Sequence, residues 1–280
     1  MRGLFLFVAS VKQSASYNAG LLLYFRSLLM AVTRETVLEL LDQELRPELT
    51  RDYCPNGLQV EGSQTVTKLV SGVTACQALI DCAVEAQADA ILVHHGFFWR
   101  GEDSRLIGMK AARVRALMQH DINLFAYHLP MDLHPTMGNN AGLGRVMGVE
   151  AFGMLDPSDH SMPVFVGDAA SRTTATDIAA SLELNLGRSV TLVGEGAVSS
   201  IGWCTGGGQG YIDAAADAGC DLFVSGEMSE QTVHVARERG IAFIAAGHHA
   251  TERFGPQSIG QWLGAQLGID HQFVDINSPA

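Results

Sequence analysis

Apolar residues in this chain follow two rhythms. After Thr33-Arg34-Glu35, the positions Val37, Leu38, Leu40, Leu41 and Leu45 recur at helical spacing behind a residue suited to an N-cap. Ala90-Ile-Leu-Val93 and Leu222-Phe-Val224 are short unbroken apolar runs instead, the pattern of strands buried on both faces. Lys68 to Val73 and Ser200 to Cys204 read as further strands, each feeding an alanine-rich helix. Helices are also expected over Thr33 to Leu45 and Thr174 to Leu184. Short strands are expected at Leu58 to Val60, Ile122 to Tyr127, Val190 to Val193 and Ile241 to Ala246.

These elements come in the same order twice. Ile80, Asp81, Ala83, Ala86 and Asp89 match Ile212, Asp213, Ala215, Ala218 and Asp221 at a constant offset of 132. Strand–helix–strand order with these lengths implies right-handed crossovers and mainly parallel sheets. The fold class expected is therefore α/β, with two similar α/β domains related by an internal repeat. The first half covers residues 30–150 and the second 151–280. Asp156 to Pro163 is the candidate linker or loop between them.

Residues 1–29 stand outside this scheme as a non-conforming extension. Leu4 to Ala9 and Ala19 to Met30 are apolar, and neither reaches the ~20 residues needed to span a bilayer. A basic start before an apolar stretch is the pattern of a signal peptide. Alternatively, Met30 ahead of the capped Thr33 helix is a natural beginning for the domain.

Composition narrows the function classes. With 47% apolar residues the chain can bury a sizeable core. A net charge of −12 gives no indication of direct nucleic-acid binding, and no membrane association is expected. Five cysteines, none in a C-x-x-C pair, suit reduced thiols in a cytoplasmic protein rather than disulfides or a thiolate zinc site.

The candidate chemistry lies beyond the strand ends, where open α/β sheets bind ligands. One apolar run ends in His94, His95 and Gly96, and its counterpart in Ser225, Gly226 and Glu227. The next strands lead into His128-Leu-Pro-Met-Asp132 and His248-His-Ala-Thr-Glu252, both His-x-x-x-carboxylate. Such ligands suit Zn, Mn, Fe, Co or Ni. Five side chains, His94, His95, Asp132, His248 and Glu252, serve two metal ions only if one bridges, and Glu252 is the candidate. His128 and His234 are candidates for proton transfer. The Gly206, Gly207 and Gly208 run is either a phosphate cradle of backbone N–H groups or a tight strand–helix turn. Asp52 to Gly57 reads as a turn that also has the reach to fold over the site. His120 and His271 lack such context and read as surface residues, while His134 stays open.

Taken together, Pro55-Asn-Gly-Leu-Gln59, Val93-His-His-Gly96, His128-Leu-Pro-Met-Asp132, Gly138-Asn-Asn-Ala141, Cys204-Thr-Gly-Gly-Gly-Gln209, Ser225-Gly-Glu227 and Gly247-His-His-Ala-Thr-Glu252 resemble a known family. It is the Nif-three-like family of dinuclear-metal hexameric proteins, often labelled GTP cyclohydrolase I type 2 homologues. The resemblance implies two metal ions per chain in a cleft between the domains, held by the five residues above. It implies a homo-hexamer, a toroidal trimer of dimers, with its sites facing inward. Two functions then stay open. One is a metal-dependent hydrolase acting on a nucleotide or related small molecule. The other is a metal-binding ring with a regulatory, chaperone or DNA-damage-response role.

Overall fold

The computed structural model describes residues 31–280, so the expectations for residues 1–29 fall outside it. In chain order the first part holds β1 (Val32–Thr33), α1 (Arg34–Leu45), β2 (Gly57–Val60), β3 (Thr65–Val66), β4 (Lys68–Thr74), α2 (Gln77–Glu85), β5 (Ala90–His95), α3 (Gly108–Gln119), β6 (Asn123–Ala126), α4 (Leu129–Leu133) and α5 (Asn139–Val146). There follow β7 (Val149–Met154), β8 (Phe165–Thr174), α6 (Ala175–Leu186), β9 (Thr191–Val193), β10 (Ala197–Cys204), α7 (Ile212–Asp217), β11 (Leu222–Ser225), α8 (Glu230–Arg239), β12 (Ala242–Ala245), α9 (His248–Thr251), α10 (Phe254–Leu267) and β13 (Asp270–Phe273).

Local chemistry sets the helix starts. The Thr33 side chain accepts a hydrogen bond from the Thr36 amide at 3.1 Å, and α1 then buries Val37, Leu41 and Leu45. Thr174 and Asp177 form a reciprocal capping box at α6, which ends on Gly187 in the left-handed region.

Two large sheets form. A five-stranded sheet has the order β13-β4-β5-β6-β2, with β2 antiparallel to β6 and the other pairs parallel. A six-stranded sheet has the order β7-β8-β10-β11-β12-β9. The run β2-β6-β5-β4 in one sheet and β9-β12-β11-β10 in the other share both order and pairing directions. The apolar run at β5 alternates faces as a strand must: Ile91 and Val93 enter one core, and Ala90 and Leu92 the other.

Three expectations need correction. The second sheet is not mainly parallel, because β7, β8 and β9 each pair antiparallel. Of the two readings for Asp156 to Pro163, the loop holds and the linker between halves does not. The loop caps the β7–β8 hairpin, with Asp156 and Asp159 accepting from Ser158 and Ser161 in turn geometry. Much of β7 and β8 is exposed, which suits antiparallel pairing with one face solvated. Finally, a division at residue 150 does not follow the sheets. It cuts β7, and α10 and β13 return to the first sheet. There Ile259 and Leu263, both fully buried, pack with Leu69, Leu92 and Phe125, and β13 pairs with β4. His271 is accordingly half-buried in β13 and hydrogen-bonded to Ser71 at 2.8 Å.

Candidate metal centre

The five residues expected as ligands converge where the strand ends of both sheets meet. His94 and His95 are the last residues of β5, and their side chains leave opposite faces of the strand. Asp132 lies in α4, just after β6. His248 opens α9, and Glu252 follows it in the segment that crosses from β12 to α10. His94 is fully buried, and Asp132 and Glu252 nearly so.

Two triads result, His94–Asp132–Glu252 and His95–His248–Glu252, with Glu252 common to both. His94 Nε2 lies 3.6 Å from Asp132 Oδ1 and 3.4 Å from Glu252 Oε1. Glu252 Oε2 lies 3.3 Å from His95 Nε2, and Oε1 lies 3.2 Å from His248 Nε2. Donors bound at ~2.1 Å around a tetrahedral ion are spaced roughly 3.4 Å apart, which these separations match.

Each side chain is turned toward the cleft by a second contact. His94 Nδ1 donates to the Tyr127 carbonyl at 3.2 Å, so in the neutral ring the lone pair falls on Nε2. His95 Nδ1 meets the Thr74 hydroxyl at 3.1 Å, and His248 Nδ1 meets Glu227 Oε1 at 2.6 Å. Asp132 Oδ1 accepts from Asn139 at 2.8 Å and from the Thr205 hydroxyl at 3.2 Å. Such partners fix tautomer and ring orientation for a metal ligand.

The arrangement fits a cation on its own evidence. His94 Nε2 and Glu252 Oε2 are buried with no hydrogen-bond partner, a condition that costs ~1–3 kcal/mol per group when nothing else satisfies it. Burial alone pushes the His94 pKa down, yet the Asp132 and Glu252 carboxylates outweigh it and hold the group at about 9. His248 is likewise raised to about 9, its burial outweighed by Glu252 and Glu227. Burial and the neighbouring imidazoles drive His95 down to about 3. Burial raises Asp132, while for Glu252 the opposing pull of His95 and His94 wins and lowers it.

The other expected residues separate. His128 joins the site, its ring 4.8 Å from that of His94. Its partner Asp52 carries a role not assigned from sequence. Asp52 Oδ1 accepts from His128 Nδ1 at 2.9 Å, and Oδ2 accepts from the Leu129 amide and from Asn56. Despite burial, these contacts hold the Asp52 pKa at about 2. The turn from Asp52 to Gly57 reaches the site through Asp52 and Asn56, which bond to His128, and through Tyr53, which lines the cleft. His234 does not join it. It is exposed on α8 and does not line the cleft, because the helix turns Thr232 and Ala236 inward. His134 is structural, accepting from the Met137 amide and meeting Glu44 at 3.0 Å.

The glycine run behaves unevenly. The Gly206 amide already donates to Thr251 Oγ1 at 3.0 Å, so it is not free to hold a phosphate. A Cβ at Gly206, where φ is +63°, would run into the Glu252 carboxylate, so this glycine serves to leave room. The amides of Gly207 and Gly208 donate to no other group among the described residues. Both line a cleft of about 510 Å³, as do Tyr53, Trp99, Arg113 and His128. That volume suits a small-molecule site. No helix among the described residues is long and apolar enough to cross a membrane.

Known proteins share this arrangement of the chain. A model of the Duf34/NIF3 (NGG1p interacting factor 3) family matches residues 32–279. A Pseudomonas aeruginosa protein named GTP cyclohydrolase 1 type 2 homolog is 52% identical over 252 residues, covering 90% of this chain and 100% of that protein. A Haemophilus influenzae protein of the same name is 49% identical over 245 residues, covering 86% and 97%. A solved structure described as protein ybgI, of unknown function, superposes with a TM-score of 0.85 at 45% identity, covering 89% of this chain and all of that one. On sequence and fold alike, the chain belongs to the DUF34/NIF3 family.

Proposed function

We propose that this protein is a hydrolase dependent on two divalent metal ions and acting on a nucleotide or related small molecule. The observation that carries this reading is the pair of triads sharing the buried Glu252, one fully buried and one half-buried, in an open cleft. His94 and Asp132 would hold one ion, His95 and His248 the other, and Glu252 both. Ions held there supply Lewis acidity and lower the pKa of water toward neutrality.

The chain's own groups complete the chemistry. His128, fixed through Nδ1 by Asp52, is the group we assign to proton transfer at Nε2. In ring opening of GTP, water adds at C8 and the departing ring nitrogen takes a proton, which His128 would deliver. The amides of Gly207 and Gly208 are available to an anionic substituent. We read the two sheets as copies of one unit, and the family likeness supports a homo-hexamer, which light scattering tests directly.

The functional test loads the protein with Mn or Zn and follows formate release and the purine spectrum with GTP. Turnover is expected in the wild type and lost in Glu252→Ala. No turnover of GTP or of any nucleotide pool at full metal occupancy would overturn the hydrolase and favour a regulatory ring. Release of phosphate alone would point to a phosphohydrolase.

A further inference from the structure

We propose that Arg113, together with Trp99 and Tyr53, forms a second recognition region in the cleft. It takes a planar heteroaromatic ring joined to an anionic group, of which a nucleoside monophosphate is the simplest case. This rests on the nucleotide reading above and adds the residues that choose the ligand.

Arg113 carries the first half of the argument. It lies on α3 and, among the described residues, is the only lysine or arginine lining the cleft that holds His95, Asp132, His248 and Glu252. It is half-buried, and its Nε is shut off from solvent with no hydrogen-bond partner. It forms no ion pair with any described residue and donates to no backbone carbonyl, unlike Arg100, Arg145 and Arg188; the other described arginines without such a partner, Arg51, Arg115, Arg172 and Arg237, are exposed. An unpaired guanidinium facing a cleft is a fork matched to phosphate or carboxylate.

The aromatic wall is the independent second half. Phe98 has φ of +67°, a strained backbone for a bulky residue. The strain is held from both sides: the Phe97 amide donates to Gln59 at 2.6 Å, and the Arg100 amide donates to the Tyr53 carbonyl at 2.8 Å. Its effect is to set the Trp99 ring 5.0 Å from His128 and 5.9 Å from His95, beside Tyr53 at 5.7 Å. Tyr53 is 49% exposed, an open aromatic face at the mouth of a polar site. Any base has a π-face to stack on such a side chain.

The test measures binding by calorimetry to the full metal-loaded chain, with GMP, guanosine and ribose 5-phosphate as probes. Wild type should bind GMP at least ~10-fold more tightly than either fragment. Arg113→Ala should bring GMP to within about twofold of guanosine, with Arg113→Lys between, and Trp99→Ala should bring it to the level of ribose 5-phosphate. Metal content and melting temperature report whether each variant is folded. If Arg113→Ala keeps the full preference for GMP, the phosphate sits on the metal ions and the inference falls. It falls equally if wild type binds none of the three probes. The two readings fail differently: GMP binding that depends on Arg113, without any turnover, overturns the hydrolase alone. Turnover with unchanged KM in Arg113→Ala overturns this inference alone.

Discussion

At the scale of single residues, protons and metal compete for the same nitrogen atoms. In the metal-free chain His94 and His248 keep their protons up to about pH 9, because Asp132, Glu252 and Glu227 surround them. Raised values mean that this stabilisation is fully present below the unfolded imidazole pKa of ~6.5 and is lost as pH climbs through about 9. A metal ion needs the deprotonated Nε2, so binding at pH 7.5 must expel protons and tighten as pH rises toward about 9. Calorimetric titrations in buffers of different ionisation heat should show net proton release. Equal heats in phosphate and Tris would contradict it. The adjacent histidines offer a sharper contrast. His248 faces Glu252, but His249 Nε2 is engaged by Asp275 at 2.7 Å. His248→Ala should empty at least one ion per chain by elemental analysis, and His249→Ala neither. All five ligand candidates were legible in the sequence as polar residues following apolar runs. Asp52 was not, since a turn carries no periodicity to show which way its carboxylate faces. His234 was misjudged although helical spacing alone turns it outward from Thr232 and Ala236.

At the scale of elements, the offset of 132 is explained by what the matched residues do. Asp89 Oδ2 accepts from the Thr67 and Lys68 amides, and Asp221 Oδ2 from the Ser199 and Ser200 amides. Each aspartate thus ties the start of its own strand to the strand before it. Ala83 and Ala215, both fully buried, leave α2 and α7 close to their sheets. Asp89→Ala should cost about 1–3 kcal/mol and Asp221→Ala, whose carboxylate is exposed, about 0.5–1.5 kcal/mol, and their effects should add because they lie in different sheets. Strong coupling in the double variant would show that the two sheets unfold as one network. The β7–β8 hairpin escaped the sequence reading because its exposed strands lack a clean apolar alternation, and the turn residues between them looked like a linker.

At the scale of the whole molecule, the return of α10 and β13 ties the two sheets into one body and leads the chain past the candidate metal centre on the way. Leu263→Ala should lose ~2–5 kcal/mol, as a fully buried leucine does, and should loosen metal binding as well. A thermal melt with and without metal separates these effects, and an unchanged metal affinity would mean that α10 does not help to hold Glu252. Nothing in the pattern of apolar residues announces this return, because a strand's partner is not written in its own sequence.

That return also fixes an order of events during synthesis. Ser71 and His271 touch across 200 residues of chain, so β4 leaves the ribosome long before its neighbour β13 exists. Until then β4 is a bare edge able to pair with another nascent chain. At the measured pace of ribosomes, ~5–20 residues per second, that exposure lasts on the order of ten seconds or more. Glu252 also emerges well after His94, His95 and Asp132, so these three spend that interval without the carboxylate that faces them. In the proposed centre, capture of both ions therefore waits on the second sheet.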